Sequence, residues 1–263
     1  MQNAKPEPID IPLALYLQGE AVVDPDVKGQ HPLFYGTISG LKGYRRDLHA
    51  YIKVLPAERL FAETMSASIG RYFGLPIPLT ALAVARGKDV GRGQGKCIVL
   101  ASVDTNAVPM SRVINFDKVS HLLNKWSHLH AAIVFDELLA NTDRNLRNLL
   151  IGGDGAIWLI DHEEALSAPS LQASENIRNH LLGMVIGEVS EFERHQASKK
   201  LKDRSAPAYT ANFRKHAAAS QPHYCQVDQA HVDKVVDFLE SRVKHMSALM
   251  DGALGFKQKT MAV

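Results

Sequence analysis

The residues best suited to chemistry fall in one stretch, FDELLANTDRNLRNLLIGGDGAIWLIDHEEAL, from Phe135 to Leu166. Asp143 stands in a polar run just past a long apolar segment. Asn148 follows five positions later, and Asp161 comes directly after a second apolar run. A carboxamide and a carboxylate offer two oxygen ligands to a hard cation such as Mg²⁺. That ion takes one or two protein ligands and completes its shell with water and phosphate oxygens. A third carboxylate, not bound to metal, can orient or deprotonate a hydroxyl nucleophile. The chemistry these three groups could perform together is transfer of a phosphoryl group to a hydroxyl. Each alone is ordinary turn composition, since Asp and Asn are common in loops and at strand ends. Their spacing, and a lysine upstream, favour the functional reading.

The elements around these residues would position them. Gly152-Gly153-Asp154-Gly155 is a hairpin signal between LLI (Leu149 to Ile151) and AIWLI (Ala156 to Ile160). A tight hairpin sets the start of its first strand beside the end of its second, which brings Asn148 near Asp161. Before it, Phe116 to Asn141 carries Val119, Leu122, Leu123, Trp126, Leu129, Ile133, Val134 and Leu138 at helical spacing, which predicts one continuous helix. Asp143 would lie in the loop that leaves it. In the first hundred residues, short apolar runs at Ile11 to Leu17, His49 to Leu55, Leu79 to Ala85 and Cys97 to Val103 read as strands. One helix interrupts them, from about Ala57 to Phe73. Gly74 stops it, and Pro76 and Pro78 prevent its resumption. A last helix spans about Asp228 to Leu249. Strands followed by helices predict an α+β protein of two segregated lobes, divided as residues 1–103 and 104–263, with a crevice between them as a natural ligand site.

Lys53 lies within the strand YIKVL, where a buried ammonium needs a carboxylate or phosphate partner. Glu63 lies on the helix that follows. The bland alternative is a surface lysine on an edge strand and a solvated glutamate. Upstream, GTISGLKG supplies Gly36, Ser39, Gly40 and Gly43. It reads either as a loop whose backbone N–H groups cradle phosphates or as a glycine-rich hairpin.

FDELLANTDRNLRN resembles the catalytic loop of the HipA-like kinases, and LIDHEEAL resembles their metal-binding segment. AETMSASIGRYFGLPIP is similar to a helix in that family which ends in a G-L-P-x-P turn. The resemblance implies a two-lobed kinase fold. By it, Asp143 is the catalytic base, and Asn148 and Asp161 hold Mg²⁺. Lys53 would contact the α- and β-phosphates of ATP, and Glu63 would hold Lys53. The adenine edge would meet the connector near Leu100, Val103 and Asp104. The resemblance also implies that a hydroxyl in the phosphate-covering loop, here Thr37 or Ser39, could be autophosphorylated, with inhibition as the result. The expected acceptor is Ser or Thr of a protein, and an antitoxin or other regulatory partner is consistent with a toxin-like kinase. The alternatives are a small-molecule or lipid-headgroup kinase on the same fold, with Glu163, Glu164 and Glu175 as acidity for a cationic substrate, or a nucleotide-binding pseudokinase. The sequence departs from eukaryotic protein kinases: Ala140-Asn141-Thr142 replaces a His-Arg pair before Asp143, and His162-Glu163 follows Asp161. Its length suggests a compact kinase core without the extra N-terminal subdomain of HipA toxins.

The 263 residues suffice for two small lobes with a sizeable core. A net charge of +2 gives no global signal for nucleic acid or a membrane surface. Locally, Arg194, Lys199, Lys200, Lys202 and Arg204 form a basic run, which reads as a solvated face or as a docking patch for an anionic partner. The two cysteines, Cys97 and Cys225, do not make a disulfide framework. No signal-peptide pattern and no membrane-length apolar run occur, so a cytoplasmic protein is expected.

Overall fold

A computed structural model describes residues 7–23, 31–166, 171–186 and 190–256. Five strands come first: β1 (Leu13–Ala21), β2 (Leu33–Ser39), β3 (Leu48–Lys53), β4 (Thr80–Arg86) and β5 (Lys96–Val103), with helix α1 (Ala57–Tyr72) between β3 and β4. They close into a barrel in the order β1-β2-β3-β5-β4, with β4 pairing parallel to β1 and every other pair antiparallel. Side chains alternate across each strand. On β3, Ala50 and Ile52 point into the barrel while His49, Tyr51 and Lys53 face outward. Alanines dominate the narrow interior: Ala14, Ala50, Ala81, Ala83, Ala85 and Ala101 pack around Ile38, Ile52 and Val99. β1 and β2 approach closely at Gly19 and Gly36, where a Cβ on Gly36 would meet Gln18 O at 2.3 Å.

The C-terminal part is helical. A small sheet in the order β6-β7-β8 joins β6 (Val108–Pro109), β7 (Leu149–Ile151) and β8 (Ile157–Leu159). Around it lie α2 (Met110–Val113), α3 (Phe116–Lys125), α4 (Leu129–Leu138), α5 (His180–Val185), α6 (Glu191–Arg204), α7 (Ala206–Thr210), α8 (Phe213–Ala219), α9 (Pro222–Cys225) and α10 (Gln229–Ala253). The buried face of α1 (Leu60, Phe61, Met65, Ile69) belongs to this larger core, together with Phe135, Leu138, Leu239 and Met246. The chain thus has a strand-rich N-terminal region and a helical C-terminal region, with α1 packed against the latter. Among the described residues, no helix is long and apolar enough to cross a membrane.

Several sequence expectations need correction. The helix expected from Phe116 to Asn141 is two helices, α3 and α4, because Trp126 leaves the first with an extended ψ of 118°. Their surroundings differ. α3 alternates buried and exposed positions, whereas every residue of α4 except His130 is buried. A helix apolar all round runs through a core, one with a stripe lies on it, and a single straight axis could not serve both. Gly36 to Ser39 is not loop but the end of β2, so GTISGLKG takes the hairpin alternative, with the turn opening at Gly40. Helix α1 matches its expected bounds, and Gly74, at φ 70°, ends it as anticipated.

Candidate active site

The outward row on β3 brings Lys53 to the helical region. Its Nζ lies 3.1 Å from Glu63 Oε1 on α1, 2.5 Å from Asp161 Oδ1 after β8, and 3.5 Å from Glu163 Oε2. The pairing of Lys53 with Glu63, expected from sequence, is therefore present, and Asp161 joins it. Burial alone would lower the Lys53 pKa, but the three carboxylates outweigh it and hold the ammonium charged, well above its usual range. For Glu63, burial works against ionisation, yet Lys53 and the His162 hydrogen bond win, and its carboxyl lies far below the usual range. His162 Nδ1 sits 3.4 Å from Glu63 Oε2. Burial depresses its pKa, so the imidazole is neutral and donates from Nδ1.

The loop after α4 is fixed by buried polar groups. Asn141 accepts at Oδ1 from the Asp143 amide at 3.1 Å and donates through Nδ2 to Asp136 Oδ1 at 2.9 Å. Arg144, with no solvent exposure, donates to both Asp136 oxygens at 3.1 and 3.0 Å. Its remaining nitrogen donates to the carbonyls of Asn148 (3.2 Å) and Ile160 (2.6 Å). One guanidinium thus ties α4 to both strands of the hairpin. The exposed Asp143 is left at the tip, held by Asn148 Nδ2, which donates to its carbonyl at 2.6 Å and its Oδ2 at 3.2 Å.

The hairpin register pairs Leu149 with Leu159, and the Ile160 amide donates to Asn148 O at 3.2 Å, so Asn148 lies one residue from Asp161 across the ladder. Asp161 itself has φ 60°, a left-handed conformation that short polar residues tolerate better than most. It turns the chain sharply after β8, and Leu166 N closes the segment by donating to Leu139 O at 2.9 Å.

Other expected residues lie at varying distances from this centre. Leu100 pairs with Lys53 on the neighbouring strand and is buried, and Val103 pairs with Ala50. Gly36 pairs with Ala50, and Gly40 and Gly43 follow in the β2–β3 turn, so these two lie at the end of the sheet away from Lys53. At the Lys53 end, His31, just before β2, reaches to within 3.8 Å of Glu163. Glu163 and Glu164, considered as acidity for a cationic substrate, already meet a cation of the chain. Arg59 on α1 engages them at 3.3 and 2.5 Å, and Glu175 accepts from the Gln172 amide.

Sequence reasoning missed Asp136, Arg144 and Arg59. The available signal was Asp136-Glu137 in a helix otherwise apolar. Two adjacent buried acids demand partners, and they find Arg144 and the equally buried Arg242, which lies 3.0 Å from Glu137 Oε1.

An ammonium between Glu63 and Asp161, a carboxamide–carboxylate pair at the hairpin and an exposed aspartate held above it form a constellation suited to a polyanionic substrate and a cation. A model of the HipA-like kinase family matches residues 48–248, and the chain belongs to that family. Membership supports a phosphotransferase. No curated protein matches the chain.

Proposed function

We propose that the protein is an ATP- and Mg²⁺-dependent kinase of two-lobed form that transfers the γ-phosphoryl group to a hydroxyl, most plausibly of Ser or Thr in a protein. The observation that carries this reading is the bridge from Glu63 through Lys53 to Asp161. Lys53 is charged and held by two carboxylates, as a phosphate-binding lysine must be before nucleotide arrives. The division into lobes at residues 103 and 104 belongs to the proposal and falls at the end of β5.

The donor set fits a cation. Oxygens of Glu63, Asp161 and Glu163 lie within 4.8 Å of one another, and the Lys53 ammonium already stands among them. Asp161 and Asn148 would hold Mg²⁺, and Lys53 would turn to the α- and β-phosphates while Glu63 keeps it aligned. Bound Mg²⁺ supplies charge neutralisation on the transferring phosphate. Asp143 would accept the proton of the attacking hydroxyl at a carboxylate oxygen. Asn148 and Asn141 fix the direction of its side chain and backbone, which confines the carboxylate to one approach.

Incubation with γ-labelled ATP, Mg²⁺ and cell lysate tests the reading. Label on protein serine or threonine is expected. Label only on a small molecule would move the acceptor to the alternative class, and nucleotide binding without label anywhere would leave a pseudokinase. Asp161→Ala should abolish Mg²⁺-dependent nucleotide binding in calorimetry, and Asn148→Ala should weaken it. Unaltered Mg·ATP affinity in both would refute the metal assignment.

A further inference from the structure

The basic run on α6 has a structural setting that the kinase site does not use. A groove of about 420 Å³ is lined by His130 at the start of α4 and by Lys200, Asp203 and Arg204 on α6. Several neighbouring charges are already paired. Lys202 pairs with Asp251 at 2.7 Å, Glu193 closes the helix cap at Ser190, and Glu191 faces His195 at 3.8 Å. Lys199, Lys200 and Arg204 are exposed and make no ion pair among the described residues. Burial depresses the His130 pKa, and the nearby charges of Lys200 and Arg204 depress it further. The groove therefore presents two unneutralised cations, a neutral imidazole and one carboxylate in a concave space.

We infer that this groove is a docking site for an acidic segment of a partner protein, with Lys200 and Arg204 taking its carboxylates. Asp203 decides between partner classes. An extended peptide alternates carbonyls with N–H donors, so a carboxylate in the groove can accept a main-chain N–H while the cations hold acidic side chains. A nucleic-acid backbone offers phosphates without donors of that kind, so it meets the repulsion of Asp203 with no compensating hydrogen bond. His130 adds a ring nitrogen for a further hydrogen bond. The groove lies at the end of α4 remote from Asp143. Leu138 is about 12 Å along the helix from His130 at 1.5 Å rise per residue, and the loop to Asp143 extends beyond it. A partner held here would bridge at least about four extended residues to reach that loop.

The test needs no catalysis. A fluorescein-labelled peptide of alternating Glu, Asp and Gly is titrated with the full chain at low ionic strength, followed by anisotropy, beside a single-stranded oligonucleotide of equal charge and a neutral peptide. The acidic peptide should bind best and weaken as salt rises. Lys200→Glu/Arg204→Glu, checked by circular dichroism for an unchanged fold, should weaken it about tenfold or more, as two lost charge contacts would. Asp203→Ala removes repulsion for both ligands but takes a hydrogen-bond acceptor only from the peptide, so it should strengthen the oligonucleotide more than the peptide. Lys199→Glu, on the same helix but outside the groove lining, should cost the peptide less than the double variant. Peptide binding unchanged in the double variant would overturn the inference. So would an oligonucleotide bound as tightly as the peptide, or an Asp203→Ala chain that gains as much affinity for the peptide as for the oligonucleotide.

Discussion

Arg144 and Lys53 are both cations set among carboxylates, and the chain treats them in opposite ways. Arg144 and Asp136 are 0% and 1% exposed at their side chains, and the guanidinium is met by two carboxylate oxygens and two carbonyls. No charge in that cluster is left over. Around Lys53, by contrast, four carboxylates (Glu63, Asp161, Glu163, Glu164) face two cations, Lys53 and Arg59, and the side chains of Lys53 and Asp161 remain 21% and 30% exposed. A buried, balanced pair stores its electrostatics in the fold and has nothing to offer a ligand. A partly open group with surplus negative charge can exchange its ammonium for another cation at small desolvation cost. The difference separates a closed, balanced cluster from an open one, and the closed cluster begins at Arg144, directly after the exposed Asp143.

The comparison can be broken most severely at its closed end. Arg144→Ala leaves Asp136 charged and buried, and unfolding in denaturant should show a loss of about 3–5 kcal/mol. A loss below about 1 kcal/mol would mean that the cluster is not the scaffold described. At the open end the same assay should register little, while activity should suffer. Asp143→Asn keeps shape and removes the proposed base, so turnover should fall about 10² or more with melting temperature and ATP affinity nearly constant. Comparable turnover in that variant would remove Asp143 from the mechanism.

A finer test asks whether Lys53 and Glu63 act as one unit. Lys53→Met and Glu63→Gln should each reduce activity, and the double variant should be little worse than the poorer single. Fully additive losses would show that the pairing has no functional consequence.

The smallest effect is in acid stability. The carboxyl of Glu63 titrates below its ordinary 4.5 in the folded chain, held there against burial by Lys53 and His162. Its contribution is therefore complete above about pH 4.5 and declines as pH falls toward the folded value. The stability gap between the native chain and Glu63→Gln should narrow below pH 4.5 in denaturant titrations. A gap that widened on acidification would reverse the sign and with it the assigned ionisation.

Local patterns carried much of this molecule. The G-G-D-G turn, the Gly74 stop after α1 and the onset of α10 near Asp228 depend on conformations that a few adjacent residues select, so they were readable. The spacing of Asp143, Asn148 and Asp161 was readable too, because a tight hairpin converts sequence distance into proximity. Barrel closure was not. It depends on β1 meeting β4 in parallel across more than sixty residues, and nothing in either strand's composition names its partner. The split between α3 and α4 was hidden because Trp126 and Leu129 keep helical spacing across the break. The placement of GTISGLKG was left open for a related reason: glycines announce close approach or a turn, but only register says at which end of a sheet it falls. Arg144 and Arg59 look like any surface arginine in sequence. Their partners, Asp136 and Glu163, are brought to them only when α4, the hairpin and α1 pack, and burial then turns an ordinary charge into a fixed one.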